Sequence, residues 1–174
     1  YRKKKAIEPM GNRSFAKPAL SDLENARGAS VLVHWEQGLG DTIQMCRYVP
    51  MLYERGIKPI FAPQPALNAL LQGLSPNVAF ADLDLPLPHF DFHVPLMSLP
   101  KLFNTSVETV PSRVPYLQAD PARVKAWSER LGTKGFKIGI CWQGSIKRID
   151  RGRSFPVTLF KNIAQLEGVR LISL

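Results

Sequence analysis

The 174-residue chain has only two cysteines, Cys46 and Cys141, each inside an apolar segment. Two such isolated thiols make no disulfide framework and match no Cys/His zinc spacing, so a reducing cytoplasm is the expected compartment. No stretch approaches the roughly 20 apolar residues that a membrane span requires. The basic run from Arg2 to Lys5 has no apolar run behind it, so it does not read as a secretory signal. Acidic residues are few, 14 Asp and Glu against 23 Lys and Arg, which leaves a net charge of +9. Aromatics make up 9% of the chain and are not interleaved with cations, as a nucleic-acid stacking surface would need. With 45% hydrophobic residues the composition is that of a globular protein with a real core.

The cations are concentrated in two places. Arg2, Lys3, Lys4, Lys5, Arg13 and Lys17 face a lone Glu8 in the first 17 residues, and Lys134, Lys137, Lys147, Arg148, Arg151 and Arg153 face a lone Asp150 between 134 and 153. The first cluster reads as a solvated linker. The second falls in a loop and could hold a compact anion such as a diphosphate, or simply be an exposed basic loop. Nucleic acid is not expected as a partner.

Residues 1–29, rich in Pro, Gly, Asn, Ser and Lys, read as a linker or lead-in. VLVHW (31–35) predicts a buried strand, and 41–54 predicts a helix that Pro50 should kink or divide. Further strands are expected at 57–62, 78–81 and 90–94, with a short helix at 66–71 between the first two. The segment 86–115, rich in proline, is expected to run over the surface near a sheet edge. Asp120-Pro121 predicts a helix start and Gly132 its stop. KIGICW (137–142), a helix over 156–165 and VRLISL (169–174) then begin a second unit, with the boundary near 132–136. Strands alternating with helices imply a parallel sheet covered on both faces. VLVHWEQG and IGICWQG echo one another, each a buried strand ending in Trp, Gln and Gly. A last apolar strand with no helix after it suggests a second unit cut short.

Three groups of residues could carry chemistry. The first is the turn Glu36-Gln37-Gly38-Leu39-Gly40-Asp41, since open α/β sheets bind ligands beyond the carboxyl ends of their strands. Position 43 is Ile43 where a dinucleotide fingerprint needs glycine, and no Gly-Lys-Ser/Thr is present, so neither a dinucleotide site nor a P-loop fits. Asp41 is an N-cap, with Gln44 completing a capping box, or a general base at the mouth of the sheet; the two roles are compatible. The second is His93, at the end of its strand, expected on the same rim as Asp41 or as a hydrogen-bonded structural residue. The third is the loop from Gln143 to Ser154. Its guanidinium groups and the following helix start suit phosphate oxygens.

WEQGLGDTIQMCRYVP, FDFHVPLMSLP, VPYL with DPARVKAW, and CWQGSIKRIDRGRSFP together resemble the glycosyltransferase-like domain that follows tetratricopeptide repeats in bacterial proteins. That domain is related to the heptosyltransferases of glycosyltransferase family 9. The resemblance covers residues 31–174. It implies the GT-B architecture: residues 30–132 as the N-terminal, acceptor-binding Rossmann-like domain of an α/β protein, and 133–174 as the start of the donor-nucleotide domain. Residues 1–29 would then link to upstream helical repeats. It also implies transfer of a hexosyl or heptosyl unit from a nucleotide-diphosphate sugar to a hydroxyl of a glycan, lipid-linked sugar or protein, with inversion and without a metal.

By that resemblance Asp41 is the catalytic base, and Gln37, Gly38, Gly40, Gln44 and His93 line the substrate. Gln143, Gly144, Ser145, Lys147, Arg151, Arg153 and Ser154 hold the donor phosphates, with Arg153 foremost. No cofactor beyond the sugar nucleotide is expected. The alternative is a non-catalytic carbohydrate- or protein-binding module that keeps the fold. The 174-residue chain alone is expected to be inactive, and the residues from 137 on to pack against a second copy or stay poorly ordered.

Overall fold

The computed structural model describes residues 14–144 and 154–174, and expectations that fall on 1–13 and 145–153 lie outside the described residues. The chain divides into two compact units, residues 1–120 and 121–174. The helix expected to close the first unit therefore belongs with the second.

In the first unit, strands β1 (Ser30–His34), β2 (Lys58–Ala62), β3 (Ala79–Phe80) and β4 (Phe92–Pro95) form one parallel sheet in the order β3-β2-β1-β4. That order is Rossmann-like, and its direction reverses between β1 and β4. The alternation of VLVH sorts the side chains. Val31 and Val33 join Phe61, Val94, Leu52 and Leu99 in the main core beneath the helices, while Leu32, Ile60, Ala62 and Phe90 form a smaller core on the other face. The second face is covered by Phe15 and by Ala81, Leu83 and Leu87, so loops do there what helices do on the first face.

The expected helix over 41–54 is two helices, α1 (Leu39–Met45) and α2 (Tyr48–Glu54). Proline explains the position of the break. The ring of Pro50, third in α2, has no N–H to offer Cys46 four residues back and would clash with its carbonyl. The Cys46 carbonyl instead accepts the Val49 N–H at 3.0 Å. Gly56, at φ +76°, then turns the chain into β2. The expected helix at 66–71 forms as a 3-10 turn and α3 (Asn68–Leu71). Within the proline-rich segment, residues 96–102 do not run over the surface. A 3-10 turn and α4 (Leu99–Leu102) bury Leu96 and Leu99 in the main core.

Residues 14–29 form no regular linker. His93 donates its backbone N–H to the Pro18 carbonyl (3.1 Å) and accepts from Leu20 N–H (2.8 Å), so this strap pairs with the outer edge of β4. Leu20, Leu23 and Ala26 are buried in the main core, and Phe15 lies on the opposite face. Pairing along β4 closes an edge that would otherwise present unpaired N–H and C=O groups.

In the second unit, α5 (Pro121–Leu131) begins with proline at its first position and ends at Gly132, φ +64°. Strands β5 (Phe136–Ile140) and β6 (Val169–Ser173) pair in parallel, with a 3-10 turn and α6 (Lys161–Ala164) between them. The Arg170 guanidinium ties β6 back by donating to the Leu131 and Lys134 carbonyls at 2.7 and 3.2 Å. Ile140 is buried, while Trp127, Phe136, Leu159 and Leu174 are exposed. Among the described residues no helix is long and apolar enough to cross a membrane.

Candidate functional site

The carboxyl ends of β1 and β4 flank the point where strand order reverses, which is where open α/β sheets form their ligand crevice. From β1 the chain enters the turn 35–38 and then α1. Trp35 N–H bonds to the Ala62 carbonyl at 3.2 Å, which carries the β1–β2 ladder one residue past the strand. Gln64, buried at the exit of β2, donates its Nε2 to the Gln37 carbonyl at 2.9 Å and so braces the turn. Among the described residues the buried Gln64 Oε1 has no partner.

Asp41 occupies the third position of α1 and not the N-cap. The N-cap is Gly38, whose backbone N–H donates to Asp41 Oδ2 at 2.9 Å. This is the acidic half of a capping box, displaced by three residues from the sequence expectation because α1 starts at Leu39. A Cβ on Gly38 would lie 3.2 Å from Asp41 Oδ2, so any side chain there would press on the carboxylate that caps the helix. Asp41 is partly exposed, and the Gly38 N–H occupies only its Oδ2. Gly40 is exposed and open around its Cα. Gln44 is also exposed, and its carbonyl accepts from Arg47 Nε at 2.9 Å.

Glu36 opens the candidate turn, where the sequence reading gave it no role of its own. It lies two residues past the end of β1 and is half-buried. Burial raises its pKa, and the Met97 N–H opposes that rise. The available signal was an acid set two residues after a buried strand at its carboxyl end.

His93 lies elsewhere. Its strand runs to Pro95 instead of stopping at Val94, so His93 is an interior residue aligned with Leu32. Its ring is on the loop-covered face, 4.7 Å from Phe15 and 5.6 Å from His34, centroid to centroid. Desolvation lowers its pKa. The structure therefore brings Gln37, Gly38, Gly40 and Asp41 together on one turn and sets His93 on the face behind it.

In the second unit, Gln143 and Gly144 follow the end of β5. Gly144 N–H donates to Ser154 Oγ at 3.0 Å, and Phe155 N–H to the Trp142 carbonyl at 3.0 Å, so the two ends of the basic loop are held side by side. Trp142, Gln143, Ser154 and Phe155 line a shallow depression there of about 310 Å³. Ser145, Lys147, Arg151 and Arg153 lie outside the described residues.

A larger cleft, about 550 Å³, opens between α2, the turn 73–77 and residues 111–118. The turn leads into the start of β3, which puts the cleft toward the amino edge of the sheet, away from the crevice. Arg47 on its wall is committed to the Pro111 carbonyl at 2.7 Å and to the Tyr116 ring at 4.0 Å.

No family model matches the chain. It is 26% identical over 191 residues to Protein FlbA of Caulobacter vibrioides, an alignment that takes in 90% of this chain and 32% of that protein. Its fold is similar to that of the iron-containing dodecameric glycosyltransferase TibC from enterotoxigenic E. coli. The TM-score is 0.55 at 14% identity, covering 85% of this chain and 42% of TibC. The chain thus spans less than half the length of either protein, and it has a glycosyltransferase-like, Rossmann-like α/β fold. The iron in the description of TibC has no counterpart donor set here: among the described residues no three His, Cys, Asp or Glu side chains group closely enough to hold a metal.

Proposed function

We propose that the chain is the acceptor half, with the opening of the donor half, of a glycosyltransferase that uses a nucleotide-diphosphate sugar. The observation that carries this reading is Asp41, a partly exposed carboxylate held by Gly38 N–H at the carboxyl end of β1, beside the switch point of a glycosyltransferase-like sheet. In the reaction Asp41 takes the proton of an acceptor hydroxyl as that oxygen attacks the anomeric carbon. The bond from the anomeric carbon to the diphosphate oxygen breaks on the opposite face, so the sugar is inverted. The departing nucleoside diphosphate is received by the basic loop after β5, where Arg153 and Arg151 supply positive charge in place of a metal ion.

The capping bond to Asp41 Oδ2 also suits a purely structural carboxylate, and so favours a second reading, a binding module that retains the fold without catalysis. Donor binding and turnover separate the two. The full-length protein, incubated with UDP-, GDP-, ADP- and CMP-linked sugars, is expected to show a thermal shift with one nucleotide class and to release that nucleotide when glycans are added. No shift and no release with any of them would establish the binding module instead.

A further inference from the structure

We propose that the 550 Å³ cleft between α2, the turn 73–77 and residues 111–118 is a binding site for a neutral saccharide, separate from the crevice at the carboxyl ends of the strands. Binding there needs neither a nucleotide sugar nor catalysis, so the site stands apart from the transferase reading.

The cleft is built before any ligand arrives. Arg47, the N-cap of α2, donates Nε to the Gln44 carbonyl at 2.9 Å and Nη1 to the Pro111 carbonyl at 2.7 Å. Its guanidinium lies 4.0 Å from the centre of the Tyr116 ring, and Tyr116 donates its hydroxyl to the Ile43 carbonyl at 3.2 Å. The wall 111–118 is thus fastened at two points to the junction of α1 and α2, and a ligand binds without first having to order it. The volume falls in the range of small-molecule sites, about 300–1,000 Å³.

The lining decides the class of ligand. Arg47 is engaged with the Pro111 carbonyl and the Tyr116 ring, which leaves Arg113 and Glu54, one charge of each sign, to meet a ligand. A phosphate or nucleic-acid site gathers several cations, and this one does not. Each wall carries proline: Pro50 on α2, Pro76 in the turn, Pro111 and Pro115 opposite. Proline has no N–H, and a helix bonds its main-chain groups along its own axis. An extended peptide would therefore find no ladder of main-chain partners here.

The cleft offers side chains instead. Asn77 and Gln118 each bring an amide that donates and accepts at once, which suits neighbouring hydroxyls on a sugar ring, and Ser112 adds a hydroxyl. None of these three side chains is bonded elsewhere among the described residues. Tyr53, 49% exposed on the α2 wall, combines an aromatic face with a hydroxyl, so it can cover the C–H face of a sugar ring and bond to its edge. A purely apolar ligand would strip water from the amides and return no hydrogen bond. Aromatic surface flanked by amides, with opposite charges in balance, fits a neutral saccharide.

The test is calorimetric titration of the full-length protein, without nucleotide sugar, with glucose, maltotriose, cellotriose, chitotriose and mannotriose, and with a proline-rich decapeptide beside them. At least one saccharide should bind. Tyr53→Ala and Asn77→Ala should each weaken that binding about 3- to 10-fold, the worth of one ordinary hydrogen bond or ring contact. Tyr53→Phe, which keeps the ring, should lose less than Tyr53→Ala. Both positions are exposed, so each variant should melt within about 2 °C of wild type. If no saccharide binds, or if either alanine variant leaves the affinity unchanged, the proposal is overturned. Tyr53-dependent binding of the peptide and of no saccharide would make the cleft a peptide groove, and would overturn it equally.

Discussion

Replacing Asp41 separates its two jobs. As the third residue of α1 it satisfies the Gly38 N–H at 2.9 Å and places negative charge in the first turn of a helix. A capping interaction of that kind contributes roughly 1 kcal/mol, with a few tenths more from the helix dipole. For a protein of this size each kcal/mol moves Tm by about 2–4 °C. Asp41→Ala is therefore expected to melt about 2–5 °C lower, while Asp41→Asn, whose amide oxygen can accept the same N–H, loses half of that or less. As a base, Asp41 has no substitute in either variant, and loss of a general base lowers turnover about 10²- to 10⁴-fold. The assay is release of nucleoside diphosphate by the full-length protein, read beside thermal melts. The separation lies in Asp41→Asn: near wild-type stability with turnover reduced at least 100-fold. If that variant keeps more than a third of wild-type turnover, Asp41 is a cap and nothing else.

Leu23 is 5% exposed and lies in the strap, so Leu23→Ala should cost about 2 kcal/mol or more in urea unfolding; a loss under about 0.5 kcal/mol would mean that the strap is only draped on the domain. His93 has a pKa below the ordinary histidine value, so the unfolded chain binds the proton more readily than the folded one. Stability should hold above about pH 6.5 and fall as the pH drops below it, more weakly in His93→Leu. Stability that rises on acidification in that range would refute the burial argument. The 174-residue chain leaves Phe136, Leu159 and Leu174 exposed around a two-stranded sheet, and should self-associate at micromolar concentration through the outer edge of β6; light scattering that shows a monomer throughout would contradict this.

How much the sequence revealed depended on whether local forces decided the outcome. The run 31–34 alternates between two apolar faces, so β1 could be read directly. Asp120-Pro121 and Gly132 mark the ends of α5 through backbone chemistry that needs no tertiary partner. The strap could not be read this way, because Pro18 and Leu20 are ordered by the main chain of His93, far along the sequence, and main-chain pairing leaves no side-chain pattern. His93 was misplaced for a related reason: the register with β1 carries β4 on to Pro95, and two residues decide whether a side chain is on the rim or behind it. Asp41 was read as the N-cap and lies three residues into the helix instead, since Gly38 caps through its backbone alone.

The strap also sets an order of events in the making of the protein. In a chain synthesised from amino to carboxyl end, residues 14–26 emerge well before β4, with which they pair. Leu20, Leu23 and Phe15 must therefore wait, unpaired, while the rest of the unit is added, and long-range pairings of this kind are slow to form. The sheet can close only once β4 has emerged. The edge of β4 is thus closed in one late step, when the strap finds its place beside His93.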